Sequence, residues 1–381
     1  MSNSKKTVVT VTGIRPDFIR MSEVFKKFDA AFNHILVHTG QHYDKMLSDV
    51  FFDELNIRKP DYNLGIGSEG KEHFEQVGDL STKIIHLLRN IEKETKVDCV
   101  VFLGDSNSVC SAIPIKKEGY KIAHIEAGMR SGDMRMLEEV NRITCDVVSD
   151  YLFTYHTDYS LNLRKENVKG QYFNVGNTIV EPTLIHKNPT GTKTSIVNPT
   201  GTKTSIVTVD IHRPKTSTVT VDIHRPENFK YQRRLKNILE LVNHVGRTHQ
   251  VKFLKFPRTM QYIKELNLPS WVTEKIEFVD LMSYKDYLKL QQQSAFIISD
   301  SGSAQEEAAL LGTPVIVPRD FTERIQSVDN GCSIMLGVNR AFEYEDIHRI
   351  ERFVSSFNPW VQWLGDGCTS SKITEHLQEL L

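Results

Sequence analysis

TVVTVTGIRPDFIRMSEVFKKF, Thr7 to Phe28, decides the architecture. It opens on Val and Thr alone, a run that is stiff at χ1 and suits a strand. Gly13 stops the run, and an amphipathic helical pattern follows from Phe18 to Phe28. The alternation then repeats: apolar strands are read at His34 to Thr39, Cys99 to Leu103, Lys121 to Ile125, Tyr151 to Tyr155 and Tyr172 to Gly176. Short apolar strands alternating with helices predict a parallel sheet covered on both faces. Past Asn177 the pattern restarts, with strands at Thr218 to Ile223, Val251 to Phe256, Ile276 to Val279, Ala295 to Ser299 and Pro314 to Val317, and a charged helix from Gln232 to Val245. The expectation is an α/β chain of two Rossmann-like domains, 1–180 and 181–355, followed by a C-terminal stretch, 356–381. A chain of 381 residues is long for one core and ordinary for two.

Bulk properties exclude several classes. A formal charge of -1, with 25% charged and 39% hydrophobic residues, gives no footing for a nucleic-acid partner or a disordered chain. No apolar run approaches the roughly 18 residues of a membrane span, and Met1 to Lys6 reads as a polar lead rather than a signal peptide, so the cytoplasm is expected and a membrane partner is not. The five cysteines are scattered without a CxxC pair, which argues against a disulfide framework and a zinc knuckle.

The junction carries tandem copies. NPTGTKTSIV runs from Asn188 to Val197 and again from Asn198 to Val207, and a twelve-residue unit from Lys203 recurs at Lys215 with one Ile-to-Thr change, so that 188–226 is a duplicated segment. Solenoid repeats diverge and fill a chain, whereas these are local and near-perfect. Asp-Ile-His-Arg-Pro therefore occurs twice, around His212 and around His224.

Polar clusters stand at the carboxyl ends of strands, where open α/β sheets bind ligands. GIRPDFIR brings Arg15 and Arg20 to a helix start, a ready anion site, although a plain strand-to-helix turn with solvated arginines fits it equally. It is not a GxGxxG fingerprint, so a nicotinamide cofactor gains little support. LGDSNS places Asp105 past one strand, HIEAGMR places Glu126 and Arg130 past another, and LEEVNR starts a helix with Glu138, Glu139 and Arg142. Each acid alone reads as a cap or surface charge; together at one sheet edge they suit proton transfer. In the second half, DSGSAQEEA offers Ser301, Gly302 and Ser303 as diphosphate donors and Glu307 as a ribose acceptor, with Arg319 and Arg324 following in RDFTER. As a bare pattern, Ser303 and Glu306 equally spell a capping box.

The ordered set GIRPDFIR, TGQHYD, LGDSNS, HIEAGMR, EEVNR, HRPENF, DSGSAQEEA, RDFTER and GDGCTSSKI resembles the UDP-N-acetylglucosamine 2-epimerase family over nearly the whole chain. The resemblance implies a glycosyltransferase-B type fold, a UDP-sugar in the cleft, a homodimer, and a C-terminal helix around Ser370 to Leu380 that crosses back to the first domain. It implies Asp105, Glu126, Glu138 and His224 as catalytic groups. Arg15, Ser301, Gly302 and Glu307 are its implied UDP contacts, with Arg20 where a lysine is usual; Arg130, Arg142, Ser303 and Arg324 complete the expected substrate-binding set. His224 leads into Arg-Pro-Glu-Asn and completes the family's HRxEN pattern, while His212 runs into Pro-Lys-Thr.

The implied chemistry is elimination of UDP across C1–C2 of a 2-acetamido sugar and re-addition after the proton returns on the other face. It requires carboxylates and cations, and neither metal nor redox cofactor. Departures from the family pattern are the shorter SGDMRMLEEVNR, which leaves Glu138 or Glu139 open, DSGS for DSGG, and TERIQ for TERPE. HILVHTGQHYD and AIPIK resemble the branch acting on UDP-2-acetamido-2,6-dideoxy-L-hexoses for surface polysaccharides, and EAGMRSGD the N-acetylglucosamine enzymes. UDP-N-acetylglucosamine is the first expectation. A hydrolysing epimerase, a glycosyltransferase and a non-catalytic UDP-sugar binder on this fold are the alternatives.

Overall fold

Thr7–Thr12 forms β1, and all six of its residues are buried, as a strand covered on both faces requires. The structure, a computed structural model, describes residues 5–40, 49–67, 72–187 and 216–381. The chain divides into two units, Met1–Pro182 with Leu364–Leu381, and Thr183–Trp363.

In the first unit β1 is joined by β2 (Asn33–His38), β3 (Tyr62–Asn63), β4 (Cys99–Leu103), β5 (Ile122–Ile125), β6 (Tyr151–Thr154) and β7 (Gln171–Asn174). Their order is β3-β2-β1-β4-β5-β6-β7, with every pairing parallel. Strand order reverses between β1 and β4, the place where such sheets open to a ligand. The helix Arg15–Ala31 begins three residues before the expected Phe18, because Pro16 fits a first turn and the Asp17 carboxylate accepts the Ile14 N–H at 3.2 Å. Its Phe18, Phe25 and Phe28 are at most 1% exposed, each burial contributing about 2 kcal/mol.

The second unit holds β8 (Thr218–Asp222), β9 (Gln250–Leu254), β10 (Ile276–Val279), β11 (Phe296–Ser299), β12 (Val315–Val317) and β13 (Ser333–Met335). Their order is β10-β9-β8-β11-β12-β13, again all parallel, with the reversal between β8 and β11. Both units are thus Rossmann-like. The second copy of the repeat supplies β8, paired to β9 and β11; the first copy, with His212, lies outside the described residues.

The last helix, Thr369–Leu380, packs within the first unit. Ile373 and Leu377 are fully buried, the Thr369 hydroxyl donates to the Val175 carbonyl at 3.1 Å, and Ser370 donates to Glu181 from its backbone N–H at 2.8 Å and its hydroxyl at 2.5 Å. Two short strands, β3 and β13, went unread in the sequence, since two or three residues carry no measurable period. The capping box read from Ser303 and Glu306 is corrected: the N-cap of helix Gly302–Leu311 is Ser301, whose Oγ accepts the Ala304 N–H at 3.4 Å.

Candidate active site

In the first unit the site grows from the carboxyl ends of β4 and β5, held side by side by Leu103 paired with Ile125 and by the Gly104 N–H donating to the Ile125 carbonyl at 2.9 Å. Gly104 turns at φ +65°, a left-handed conformation that glycine adopts freely. Glu126 follows β5 at φ +72°, where a residue with a side chain costs about 1–3 kcal/mol. That backbone is fixed because the N–H groups of Glu126 and Ala127 both donate to the Phe153 carbonyl, at 3.0 and 3.1 Å. The twist brings the Glu126 carboxylate against Gly104 and into an ion pair with Arg20; both partners are buried. Arg20 thus serves the sheet edge from inside, its guanidinium 5.9 Å from the Tyr155 ring centre.

Asp105, half-buried, is joined through Arg142 to Glu139: Arg142 is fully buried, and its guanidinium bonds Asp105 on one side and Glu139 at 3.0 Å on the other. Glu139 also accepts the N–H groups of Ser131 and Gly132 at 3.0 and 2.9 Å, so its carboxylate is committed to folding the loop before the helix Leu137–Val148. Glu138, the neighbouring residue in the first turn of that helix, is half-buried. Arg142, expected to contact substrate, is fully buried in this carboxylate network. Arg130 likewise bonds Asp146 at 2.8 Å and Glu166 at 2.6 Å.

Two groups here escaped the sequence reading. Asp17 is buried, and the donors Gly13 N, Ile14 N and the Ser106 hydroxyl all converge on its Oδ2, at 2.9, 3.2 and 3.2 Å. Burial, aided by the charge of Asp105, pushes this carboxyl up to about 7 against the pull of those bonds. His124, fully buried on β5, faces acceptors on both ring nitrogens: Asp146 at 2.7 Å and the Gly104 carbonyl at 2.8 Å. Two acceptors demand two N–H donors, so the ring is an imidazolium. Burial opposes that charge, but Cys145 and Asp146 beside it raise its pKa well above the ordinary value. The only sequence signal was that His124 alternates with Glu126 on a strand that ends in the site. Arg15 lies at the start of the first helix, its guanidinium 5.2 Å from the Phe51 ring centre.

In the second unit, β8 ends at Asp222 and β11 at Ser299, which are direct neighbours. Asp300 is fully buried and accepts the N–H groups of His224 and Arg225 at 3.0 and 3.1 Å and the Asn228 amide at 2.9 Å. The Asp of DSGS thereby folds the loop that carries HRPEN. Helix Gly302–Leu311 points its N-terminus toward the same edge, with Ser301 and Ser303 half-buried. At Gly302 the chain lies against Arg324: a Cβ there would lie 2.8 Å from the Arg324 guanidinium carbon, so a side chain would displace that arginine. Arg324 is buried and bonds Glu306 at 3.2 Å and Glu323 at 3.0 Å, while Arg319 bonds Glu227 and Glu323, both at 3.0 Å. Glu307, 4% exposed, accepts the Gln291 amide at 2.8 Å. Among the described residues Asp222, His224 and Asp300 have possible ligand atoms within 4.8 Å of one another, but these atoms are engaged in hydrogen bonds and we assign no metal there.

Two parallel sheets of Rossmann order, one with carboxylates at its strand ends and the other with a helix N-terminus and buried arginines, have the architecture of the glycosyltransferase-B type fold. The chain belongs to the UDP-N-acetylglucosamine 2-epimerase family, a family of isomerases, whose model matches residues 26–378. It is 33% identical over 381 residues to the UDP-N-acetylglucosamine 2-epimerase of Methanocaldococcus jannaschii, covering 96% of this chain and 97% of the relative. It is 31% identical over 380 residues to the UDP-2,3-diacetamido-2,3-dideoxy-D-glucuronate 2-epimerase of Pseudomonas aeruginosa, covering 98% and 99%. The crystal structure of the Methanocaldococcus jannaschii UDP-GlcNAc 2-epimerase in complex with UDP-GlcNAc and UDP superposes with a TM-score of 0.81 at 32% identity, covering 98% of this chain and 99% of that one.

Proposed function

We propose that the protein is a non-hydrolysing UDP-N-acetylglucosamine 2-epimerase that interconverts UDP-N-acetylglucosamine and UDP-N-acetylmannosamine. The observation that carries the reading is the carboxylate set of the first unit: Asp105 and Glu126 at the ends of β4 and β5, and Glu138 at the start of the following helix. The C2 proton of a 2-acetamido sugar is not acidic enough for simple removal. Loss of UDP across C1–C2 instead takes that proton to a carboxylate as the C1–O bond breaks, leaving a neutral glycal and a diphosphate anion. Proton delivery to the opposite face of C2, with return of the diphosphate oxygen to C1, inverts the centre and restores every bond. Asp105, Glu126 and Glu138 are the proton carriers in this reading. Arg15, His224, Ser301, Ser303 and the N-terminus of helix Gly302–Leu311 hold the diphosphate, and Glu307 the ribose. Arg20, Arg130, Arg142 and Arg324 fix the carboxylates and loops around them.

A homodimer fits the helix Leu137–Val148, which exposes Leu137, Val140 and Val147 on one side at 61, 43 and 59%. Light scattering at micromolar concentration reads the mass directly. Five free cysteines, three of them buried, fit the reducing cytoplasm.

Proton NMR of the protein with UDP-N-acetylglucosamine in D2O tests the reading. UDP-N-acetylmannosamine with deuterium at C2 is the expected product. Free N-acetylmannosamine plus UDP identifies a hydrolysing enzyme, and turnover of a UDP-2-acetamido-2,6-dideoxy-L-hexose alone identifies the other branch. No reaction with either sugar refutes the epimerase.

A further inference from the structure

His224 is set among carboxylates to a degree that diphosphate binding alone does not require. Its Nδ1 lies 2.8 Å from Asp222 Oδ1 and 3.5 Å from Asp300 Oδ1, which places Nε2 on the far side of the ring. Asp300 is already occupied by two backbone N–H groups and the Asn228 amide. Asp222 is different: 3% exposed, it gives Oδ1 to the imidazole and Oδ2 to the Tyr287 hydroxyl at 2.7 Å, with Ser299 as a further donor. The Phe256 ring, 4.9 Å away and tilted by 38°, limits rotation of the imidazole from the other flank.

We propose that Asp222 is a positioning residue that fixes His224 with Nδ1–H toward the protein and keeps the ring a cation, so that Nε2–H serves as a charged donor to the substrate diphosphate rather than as a base at carbon. This rests on the assignment of His224 to the diphosphate. Charge makes a histidine donor stronger where negative charge builds on the departing UDP, and a neutral imidazole with Nδ1 protonated could only accept at Nε2. The groups facing the ring are Asp222 from β8, Asp300 beyond β11, Tyr287 from helix Tyr284–Gln293 through Asp222, and Arg225 next along the chain, whose guanidinium turns to Glu323 at 3.2 Å. Burial works against the charged ring and Arg225 adds to that, but Asp222 and Asp300 outweigh both and raise the His224 pKa. On Asp222, burial works against the anion and is overcome by His224, Tyr287 and Ser299.

The test uses the full chain and its Asp222→Asn variant. Asparagine keeps an acceptor for Nδ1–H and removes the charge, so orientation and charge separate. Nitrogen-15 NMR of labelled histidine follows the His224 titration, assigned with a His224→Gln variant, and needs no turnover. The wild-type ring is expected to titrate above the ordinary histidine value, and Asp222→Asn to lower that midpoint by about one pH unit. In the epimerase assay the alkaline limb of kcat should move down with it, giving about a tenfold loss at pH 8 and near-normal turnover at pH 6. A wild-type His224 that titrates at or below the ordinary value overturns the proposal even if the variant does not fold. A pH-independent loss in the variant, with an unmoved titration, overturns it as well and leaves Asp222 a structural residue. Should the wild type turn over no UDP-sugar, the functional reading falls while the titration still decides the role of Asp222.

Discussion

Asp17→Asn is expected to stabilise the protein at pH 8 and to change it little near pH 4. The carboxyl has an ordinary value of 3.8 and stands at about 7 in the folded chain, because burial penalises its ionised form. A folded pKa raised in this way means that folding binds a proton. The associated stability is fully present below about 3.8, declines as pH rises, and is lost once pH passes about 7. The whole difference is on the order of 4 kcal/mol, and about 2 to 3 kcal/mol of it falls between pH 5 and pH 8. Asparagine does not titrate and fits the geometry. All three donors converge on Oδ2, so the amide oxygen can take that place and the NH2 the other, which preserves the bonds from Gly13, Ile14 and Ser106. Urea unfolding of both proteins at the two pH values gives the difference directly, with the other titrating groups cancelling between them. Trp271, Trp360 and Trp363 all lie in the second unit, so fluorescence follows that unit alone. Circular dichroism, or amide exchange in β1, follows the first. A variant no more stable than wild type at pH 8, or a difference that is equal at both pH values, refutes the reasoning.

Other substitutions separate structure from chemistry. Arg142→Met strands Asp105 and Glu139 around a buried gap and should cost about 3–5 kcal/mol in the same urea experiment. Glu138→Gln should lower kcat by about 10²–10⁴-fold with an unchanged melting temperature, whereas Glu139→Gln, which weakens the bonds to Ser131, Gly132 and Arg142, should lower stability by about 1–3 kcal/mol. Gly302→Ala drives a Cβ to 2.8 Å from the Arg324 guanidinium, which is held by Glu306 and Glu323. Overpacking there should cost about 1–3 kcal/mol and reduce the rise in melting temperature produced by UDP.

Much of this architecture was legible because strand ends in an α/β sheet are marked by abrupt changes of residue type. CVVFL giving way to GDSNS, and FIIS to DSGS, announce both strand and site. The second copy was read as the strand-bearing one from the residues that follow it, and it does form β8. What remained hidden lies behind the sheet edge. Asp17, His124 and Asp222 act through contacts with Ser106, Gly104 and Tyr287, each far along the chain, and no local period encodes such pairings. The arginine contacts were hidden for a related reason: a guanidinium at a strand end shows in the sequence, but its buried partners, Asp105 and Glu139 for Arg142, do not. The cap of helix Gly302–Leu311 is Ser301 rather than Ser303, because serines two apart both satisfy the local rule and the helix begins at Gly302.

The return of Leu364–Leu381 to the first unit also dictates an order of events at the ribosome. Domains made on a growing chain ordinarily fold as they emerge, the earlier one first. Here the second unit is complete in sequence at Trp363, while the first still lacks the helix that buries Ile373 and Leu377. The half synthesised first is therefore not finished until after the second, and a nascent chain bearing the carboxylate cluster keeps apolar surface uncovered until Leu364–Leu381 is made. Loss of Leu364–Leu381 would thus damage the most distant part of the sequence while leaving the adjacent unit whole.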